Sequence, residues 1–145
     1  MGRNAFLDGE LMDIVPIHPA NLHPVWDKVR EGLTKIKAKI HEDWMPEDVY
    51  HALKAGEAQL FLAIRDQGFA GFFILRKVQA EYSRENIMHV WCAYSEGDDD
   101  VFEQCLDFIR EAATKAGCKR LTFGSQRKGW MKRFRVREIT YEIPL

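Results

Sequence analysis

The spacing of apolar residues along the chain alternates between a helical and a strand period. In three stretches apolar residues recur every three to four positions, which predicts amphipathic helices over residues 24–40, 46–56 and 100–116. Between and beyond these stretches lie runs rich in aliphatic and aromatic residues, which favour strands. The predicted strands cover residues 11–17, 58–64, 69–78, 87–94, 121–123 and 136–143, and a short basic helix around Trp130 precedes the last of them.

The order of these elements predicts a mixed sheet flanked by helices. Residues 65–68 form a link of hairpin length with a glycine, so the strands on either side should be antiparallel. The strand 87–94, the following helix and the strand 121–123 make a crossover unit, which predicts a parallel pair. Strand 87–94 is apolar except for His89, which predicts a central position. Because no repeat or linker interrupts the chain, we expect one α/β (α+β) domain over residues 1–145.

The charge and the cysteine content narrow the classes of partner. The chain has 21 basic and 22 acidic residues and a net charge of −1, so no long-range field would attract nucleic acid or an anionic membrane. Cys92, Cys105 and Cys118 lack a zinc-ligand spacing, and the first ten residues lack the apolar region of a signal peptide. We therefore expect a cytoplasmic protein with reduced thiols, no metal and no membrane partner.

The element order resembles that of the GNAT superfamily of acyl-CoA N-acyltransferases, over roughly residues 12–143. Two stretches look especially similar. Residues 58–75, QLFLAIRDQGFAGFFIL in their main part, resemble the family's hairpin with a glycine early in the second strand. Residues 102–123 resemble the coenzyme-side helix and the entry to the next strand. The resemblance implies a GNAT-like mixed central sheet and acetyl-CoA as the acyl donor substrate.

The sequence departs from the family's signature where the coenzyme's pyrophosphate is bound. That signature is Arg or Gln, two residues, Gly, one residue, then Gly or Ala, at the turn from the central strand into a helix whose backbone N–H groups hold the phosphates. Counting back from Gly117 puts Gly97, Asp100 and Phe102 at the three defined positions, and all three differ from the signature. The resemblance therefore implies a degenerate pyrophosphate-binding turn.

Acidic residues crowd this turn and allow three interpretations. Unit charges about 4 Å apart near a protein surface interact by roughly 4 kcal/mol, so a pyrophosphate should be repelled there. Alternatively, the acids cap the helix and compensate its dipole. They could also bind a divalent cation, although their spacing matches no EF-hand loop. The acids are Glu96, Asp98, Asp99 and Asp100.

Direct transfer of an acyl group to an amine needs a base for the amine's proton and often an acid for the departing thiolate. By resemblance, Glu85 and His89 are the nearest equivalents of the family's base, and a free histidine has a pKa of about 6.5, which suits that role. A hydrogen-bonded histidine within the sheet is the alternative interpretation. At the usual position of the acid the chain has Trp130, which has no phenolic proton. Tyr141 or Tyr94 would have to replace it.

The coenzyme-binding candidates lie on the central strand, in the turn after it and in the basic segment 127–137. This segment carries six basic and two aromatic residues without an acid, so it could hold phosphate groups or an acidic protein surface. Alternatively, the basic side chains merely solvate a short helix and an edge strand. The candidate coenzyme-binding residues are Trp91, Ala93, Ser95, Gly97, Arg127, Lys128, Lys132 and Arg133.

Two functional hypotheses follow. The first is a divergent N-acetyltransferase in which the basic segment replaces part of the missing phosphate grip and His89 or Glu85 is the base. The second is a non-catalytic GNAT-shaped binding or assembly protein with an unidentified protein partner, resembling small chains encoded by bacteriophages, which would work in the host cytoplasm. A nucleic-acid-binding module is a third possibility that rests on the basic aromatic segment alone, and the near-neutral charge disfavours it.

Overall fold

The computed structural model describes residues 3–7, 10–97, 100–125 and 128–145. The strands are β1 (Arg3–Leu7), β2 (Glu10–Ile17), β3 (Gln59–Arg65), β4 (Gly68–Gln79), β5 (Asn86–Ser95) and β6 (Arg120–Phe123). The α-helices are α1 (His23–Lys39), α2 (Pro46–Lys54), α3 (Val101–Gln104) and α4 (Leu106–Lys115). Short 3₁₀ helices lie at Pro19–Asn21 and Lys128–Lys132.

The strands form one sheet in the order β1-β2-β3-β4-β5-β6. Neighbours from β1 to β5 are antiparallel, and β5 pairs with β6 in parallel. The β3–β4 turn consists of Asp66 and Gln67, both with positive φ, 52° and 63°. Two such residues match the twist of the strands that they join. The predicted mixed α/β sheet is confirmed.

Helices cover both faces of the sheet. The stretch 70–75 of β4 is buried at every residue because successive side chains point to opposite faces and both faces are packed. On one face Phe72 and Ile74 pack beneath α1 and α2, with Val29 and Leu33 of α1. On the other face the core lies beneath α3 and α4, and its members include Phe61, Phe73, Leu75, Val101, Phe102, Cys105 and Ile109.

A β-bulge shifts the register of β5 against β4 at Trp91. Ile74 lies opposite Cys92 and Leu75 opposite Val90, so Trp91 is an extra residue between them. Towards the end of β5 the two strands come very close: a Cβ added at Gly71 would lie 2.1 Å from the carbonyl oxygen of Tyr94. The end of β5 is therefore fixed against β4 by a contact that only glycine allows.

The sheet opens between β5 and β6. The four residues of β6 pair with β5 only from Ile87 to Val90, whereas β5 continues to Ser95. Among the strands that the structure describes, none pairs with residues 91–95 on this side. We call this unpaired edge of β5, residues 91–95, the notch.

Four differences separate this architecture from the sequence expectation. Residues 136–143 do not form the predicted strand, because an alternating pattern needs a sheet edge to pair with and this stretch has no ladder partner in the described chain. A hairpin strand, β1, precedes the predicted first strand. The helix expected over 100–116 is split at Cys105 into α3 and α4. Finally, β5 is interior but next to the edge strand rather than central.

None of the described helices is long and apolar enough to cross a membrane.

Candidate active site

At the turn from β5 into α3, nearby side chains accept hydrogen bonds from the first backbone amides of the helix. Gly97 takes a left-handed conformation, with φ of 63°, and turns the chain after β5. The Val101 N–H donates to Ser95 Oγ at 2.8 Å, and the Glu103 N–H donates to Asp100 Oδ1 at 3.0 Å. Two amides that the first turn of a helix leaves without intrahelical partners thus have protein acceptors. Capping by Asp100 is the role that the sequence analysis gave as one alternative for the acids.

Glu96 adds a fixed negative charge beside this turn. Its N–H donates to the carbonyl oxygen of Ala70 at 2.8 Å. Its carboxylate accepts a hydrogen bond from the Tyr94 hydroxyl, with 2.6 Å between the two oxygens. Burial and the bond to Glu96 raise the pKa of Tyr94. Lys35 of α1 donates to the same hydroxyl at 3.4 Å, and this bond raises the pKa of the lysine. Tyr94 is therefore a neutral link between a cation and an anion at neutral pH.

The other acids of the turn, Asp98 and Asp99, lie outside the described residues. No group of three or more His, Cys, Asp or Glu side chains that could hold a metal ion occurs in the part of the chain that the structure describes. The divalent-cation interpretation therefore remains untested at this turn.

His89 lies at the seam between β5 and β6, one residue before β6 ends. Its Nδ1 is 2.9 Å from Thr122 Oγ1, the hydroxyl of its partner residue on β6. Burial lowers the pKa of His89, the positive charge of Arg76 lowers it further, and the contact with Thr122 offsets part of the effect. The imidazole is therefore neutral at pH 7. If Nδ1–H donates to Thr122, Nε2 carries the free lone pair that a base needs.

An arginine and an aromatic ring flank this histidine. Arg76 lies opposite His89 on β4, and its guanidinium carbon is 4.5 Å from the centre of the Trp91 ring. Trp91 lies two residues after His89, so its side chain is on the same face of the sheet and is a diagonal neighbour of Arg76. His89, Trp91 and Arg76 thus form one cluster on the α1–α2 side of the sheet.

The connection between α1 and α2 lies near this cluster. Lys37 of α1 holds the connection in place, since its ammonium group donates to the carbonyl oxygens of Glu42 and Trp44, both at 2.7 Å. Burial raises the pKa of the Cys92 thiol to about 12, and the nearby Glu42 carboxylate contributes to that rise. Cys92 is therefore a protonated, unreactive core thiol at neutral pH.

The basic segment reaches α3 through Arg133. Its guanidinium group bonds to the Glu103 carboxylate and lies 5.2 Å from the centres of both the Trp130 and Phe134 rings. Trp130 is buried in the core beneath α3. Lys132 is exposed, Lys128 begins the 3₁₀ helix, and Arg127 lies outside the described residues. The segment is thus anchored beside the first turn of α3 by an aromatic cluster and an ion pair.

The remaining candidates are more scattered. Glu85 precedes β5 and forms an exposed ion pair with Arg120 at 3.5 Å, four residues from His89 along an extended chain, or roughly 13 Å. Tyr141 is 83% exposed, in the irregular stretch after residue 132. Ala93 packs against the core on the α3–α4 side. The structure therefore groups His89 with Trp91, and Ser95 with Gly97, but leaves Glu85 and Tyr141 apart from both groups.

Sequence reasoning missed Arg76, Thr122 and Lys35. Arg76 and Thr122 are ordinary strand positions, and their proximity to His89 depends on the strand register, which a single sequence does not give. Lys35 is on α1 and contacts Tyr94 of β5, a pairing of two separate elements that local sequence does not indicate. The one available indication was that His89 interrupts an otherwise apolar strand.

Two shallow surface cavities are lined in part by residues of this region, Lys35 in one and Glu96 in the other. The first, of about 470 Å³, runs along α1 from Asp27 to Lys35. The second, of about 240 Å³, lies between the β3–β4 turn and the β5–α3 turn, where Arg65, Phe69, Glu96 and Gly97 line it. Glu96 therefore places a negative charge in the cavity beside the β5–α3 turn.

Comparison with known proteins identifies the fold. No family model matches the sequence, and no curated protein is significantly similar to it. Among solved structures, a ribosomal-protein-alanine N-acetyltransferase from Brucella melitensis biovar Abortus 2308 matches with a TM-score of 0.65 and 16% identity, over 92% of this chain and 99% of that one. The fold is that of the GNAT acetyltransferases.

Two further similar structures are of acetyltransferases with a bound small molecule. An aminoglycoside acetyltransferase from an uncultured soil metagenomic sample, in complex with sisomicin, matches with a TM-score of 0.67 and 10% identity, over 92% of this chain and 96% of that one. A predicted acetyltransferase with acetyl-CoA from Clostridium acetobutylicum matches with a TM-score of 0.64 and 9% identity, over 92% and 95%. At these identities the likeness establishes the GNAT fold alone.

Proposed function

We propose that this GNAT-fold chain is a divergent acyl-CoA-dependent N-acyltransferase, with acetyl-CoA as its donor. The observation that carries the proposal is the open notch along residues 91–95 of β5. An acyl-CoA carries an extended arm with two amide groups, and such a chain can bond to an unpaired strand edge as an added strand would. The acyl group would then lie near the point where β6 ends.

His89 is the proposed base. Its neutral imidazole is next to the notch, Thr122 contacts the ring, and burial together with the charge of Arg76 lowers its pKa. In the proposed reaction the amine attacks the thioester carbonyl, its proton passes to Nε2 of His89, and the C–S bond breaks to release the coenzyme thiolate. A second group must protonate that thiolate, and Tyr141 and Tyr94 are the candidates carried over from the sequence.

In the proposed complex the phosphate groups of the coenzyme are bound only weakly by the turn. Ser95 and Asp100 already accept the hydrogen bonds of the amides that would otherwise face a phosphate, and Glu96 and Asp100 add negative charge. We infer that Arg133 and Lys132, beside α3, supply part of the missing grip. Arg133 is shared with Glu103, so Lys132, which is exposed, is the better test of this role.

The internal caps favour one alternative, a non-catalytic GNAT-shaped binding or assembly protein. A turn whose amides are satisfied by its own side chains needs no ligand to be stable. In this case the basic segment would contact a protein partner instead of a coenzyme.

Calorimetric titration with acetyl-CoA separates the two functions. The acyltransferase proposal expects saturable binding, which Asp100→Asn should tighten several-fold, because asparagine keeps the cap but removes the charge. Lys132→Glu should weaken binding. Lys115→Glu is the matched control, since Lys115 ends α4, at the opposite end of the α3–α4 unit, and we expect it to bind like the wild type.

Turnover is measured as thiol release from acetyl-CoA with a panel of primary amines. His89→Gln should keep coenzyme affinity and lose on the order of 10² to 10⁴ of the rate. If millimolar acetyl-CoA produces no binding heat with either the wild type or Asp100→Asn, the acyltransferase proposal is wrong and the non-catalytic function is favoured.

A further inference from the structure

Arg76 of β4 is a cation without an anionic partner in the described part of the chain. Its side chain is partly buried, yet no ion pair and no hydrogen bond of the guanidinium group occurs among the described residues. The charges of Glu42 and Arg76 both act on the Cys92 thiol, but no ion pair joins them. A charge that is partly removed from water is normally paired with an opposite charge. The guanidinium group therefore has binding capacity that the described residues do not use.

The ring of Trp91 supports this guanidinium group. The guanidinium carbon is 4.5 Å from the centre of the ring, which is a cation–π contact. Arginine makes such contacts by stacking, which uses the flat face of the group and leaves the N–H donors around its rim for other partners. Among the described residues, the buried side-chain nitrogens without a partner belong to Trp44 and Arg65, so the Arg76 donors are open to solvent. A carboxylate is the anion that such a planar fork binds with a pair of hydrogen bonds.

Arg76 lies directly opposite the proposed base. It pairs with His89 across β4 and β5, so the two side chains share one face of the sheet, with their Cβ atoms about 5 Å apart. Burial and then the charge of Arg76 lower the pKa of His89, which agrees with this proximity. An amine that gives its proton to His89 would therefore have its neighbouring substituents beside the guanidinium group.

We propose, on the basis of the acyltransferase function proposed above, that the acceptor is an α-amino acid and that Arg76 binds its carboxylate. An α-amino acid carries its amine and its carboxylate on one carbon, so the two groups fit two side chains that face each other across a pair of strands. A carboxylate also matches one guanidinium group in charge, whereas a phosphate monoester carries about −1.5 to −2 at pH 7.

The reaction with such an acceptor is the one already described for an amine. The α-amino nitrogen forms a bond to the acyl carbon, the C–S bond breaks, and the amine's proton passes by way of His89 to the thiolate. The products are an N-acyl amino acid and the free coenzyme thiol. Arg76 touches the substrate but takes no part in the proton transfer, so it determines specificity.

A comparison of α-amino acids with their α-carboxamides tests the role of Arg76. The amide has nearly the same size but lacks the negative charge. The ratio of kcat/KM for the acid to kcat/KM for the amide should fall roughly 10- to 100-fold in Arg76→Gln, as expected for the loss of hydrogen bonds to a charged group. Arg76→Lys keeps the charge but not the planar fork, so its ratio should fall less. Because the ratios are compared between variants, the different basicity of the two amines and any change in the pKa of His89 cancel.

Lys77→Gln is the matched control. Lys77 is the next residue of β4, it is exposed, and its side chain points to the opposite face of the sheet. The substitution removes the same charge from the same strand, and we expect the ratio of the wild type. An unchanged ratio in Arg76→Gln, or an equal fall in Arg76→Gln and Lys77→Gln, would overturn the proposal.

Calorimetric titrations separate a failure of this proposal from a failure of the acyltransferase function. The acid and its amide are titrated into the protein with and without coenzyme A, and Arg76→Gln should weaken binding of the acid alone. If amines are acylated without a preference that depends on Arg76, the carboxylate site is wrong and the acyltransferase function stands. If no amine is acylated but the acid binds through Arg76, the acyltransferase function is wrong and the carboxylate site stands. If Arg76→Gln weakens binding of acetyl-CoA instead, the anion is a coenzyme phosphate and the carboxylate site is wrong.

Discussion

Gly71 is the position where the fold tolerates a side chain least. A Cβ at this residue would lie 2.1 Å from the Tyr94 carbonyl oxygen and 2.7 Å from Val101 Cγ2, and the first of these atoms is backbone. An ordinary contact needs more than 3 Å, so Gly71→Ala must displace the end of β5 by about 1 Å or more. Overpacking of this kind costs roughly 1–3 kcal/mol, and a clash with backbone lies at or above the upper end. We therefore expect a loss of about 3 kcal/mol in the free energy of unfolding.

The measurement is urea unfolding, followed by circular dichroism, with thermal unfolding as a second probe. At roughly 3 °C per kcal/mol for a domain near this size, the melting temperature should fall by about 9 °C. Gly68→Ala is the matched control on the same strand. An added Cβ there meets only the Arg65 carbonyl oxygen, at 3.4 Å, and its free energy of unfolding should stay within about 0.5 kcal/mol of the wild type. Equal losses in the two variants would refute the close-approach argument.

Three further outcomes are expected from unfolding measurements. Burial lowers the pKa of folded His89 below its unfolded value of about 6.5, so the unfolded chain binds more protons and the free energy of unfolding falls as the pH drops below about 6.5. His89→Gln should reduce that fall in urea titrations at a series of pH values. Ser95→Ala should cost about 1 kcal/mol in a denaturant midpoint, since the Val101 N–H loses its acceptor. Trp130→Ala should cost roughly 3–5 kcal/mol by the same measurement, because its ring packs edge-on against two phenylalanine rings at 5.6 and 5.7 Å.

Local patterns predicted most of the elements of this fold. The turn residues 65–68 were enough to predict the β3–β4 hairpin, and the stripe from Val101 to Ala116 predicted the helical region after β5. The break at Cys105 was not predictable, because the apolar stripe continues through it and only the packed structure interrupts the helix. Residues 136–143 illustrate the opposite case, in which the strand pattern is present but the edge that would complete it is not supplied within the described chain.

The candidate site was less predictable than the fold, because it depends on the strand register. The register of β4 against β5 puts Arg76 opposite His89 and beside the Trp91 ring, and a single sequence does not give that register. Likewise, Ser95 and Val101 are six residues apart, and their hydrogen bond requires the turn to be folded first. The acidic character of the turn was readable from composition, whereas the capping of its amides was not.

The first amides of the helix after the β5–α3 turn do not depend on a bound phosphate for their hydrogen bonds. The first amides of a helix need acceptors in every state of the protein, and a bound phosphate supplies them only when it is present. Here Ser95 and Asp100 supply two of them permanently. A pyrophosphate would have to displace both bonds, which at about 1 kcal/mol each weakens binding roughly thirtyfold before the repulsion by Glu96 and Asp100 is counted. In the proposed reaction, affinity for the donor must therefore come from the edge of β5 and the basic segment, and for this reason we expect Lys132 to matter more to coenzyme binding than any amide of the turn.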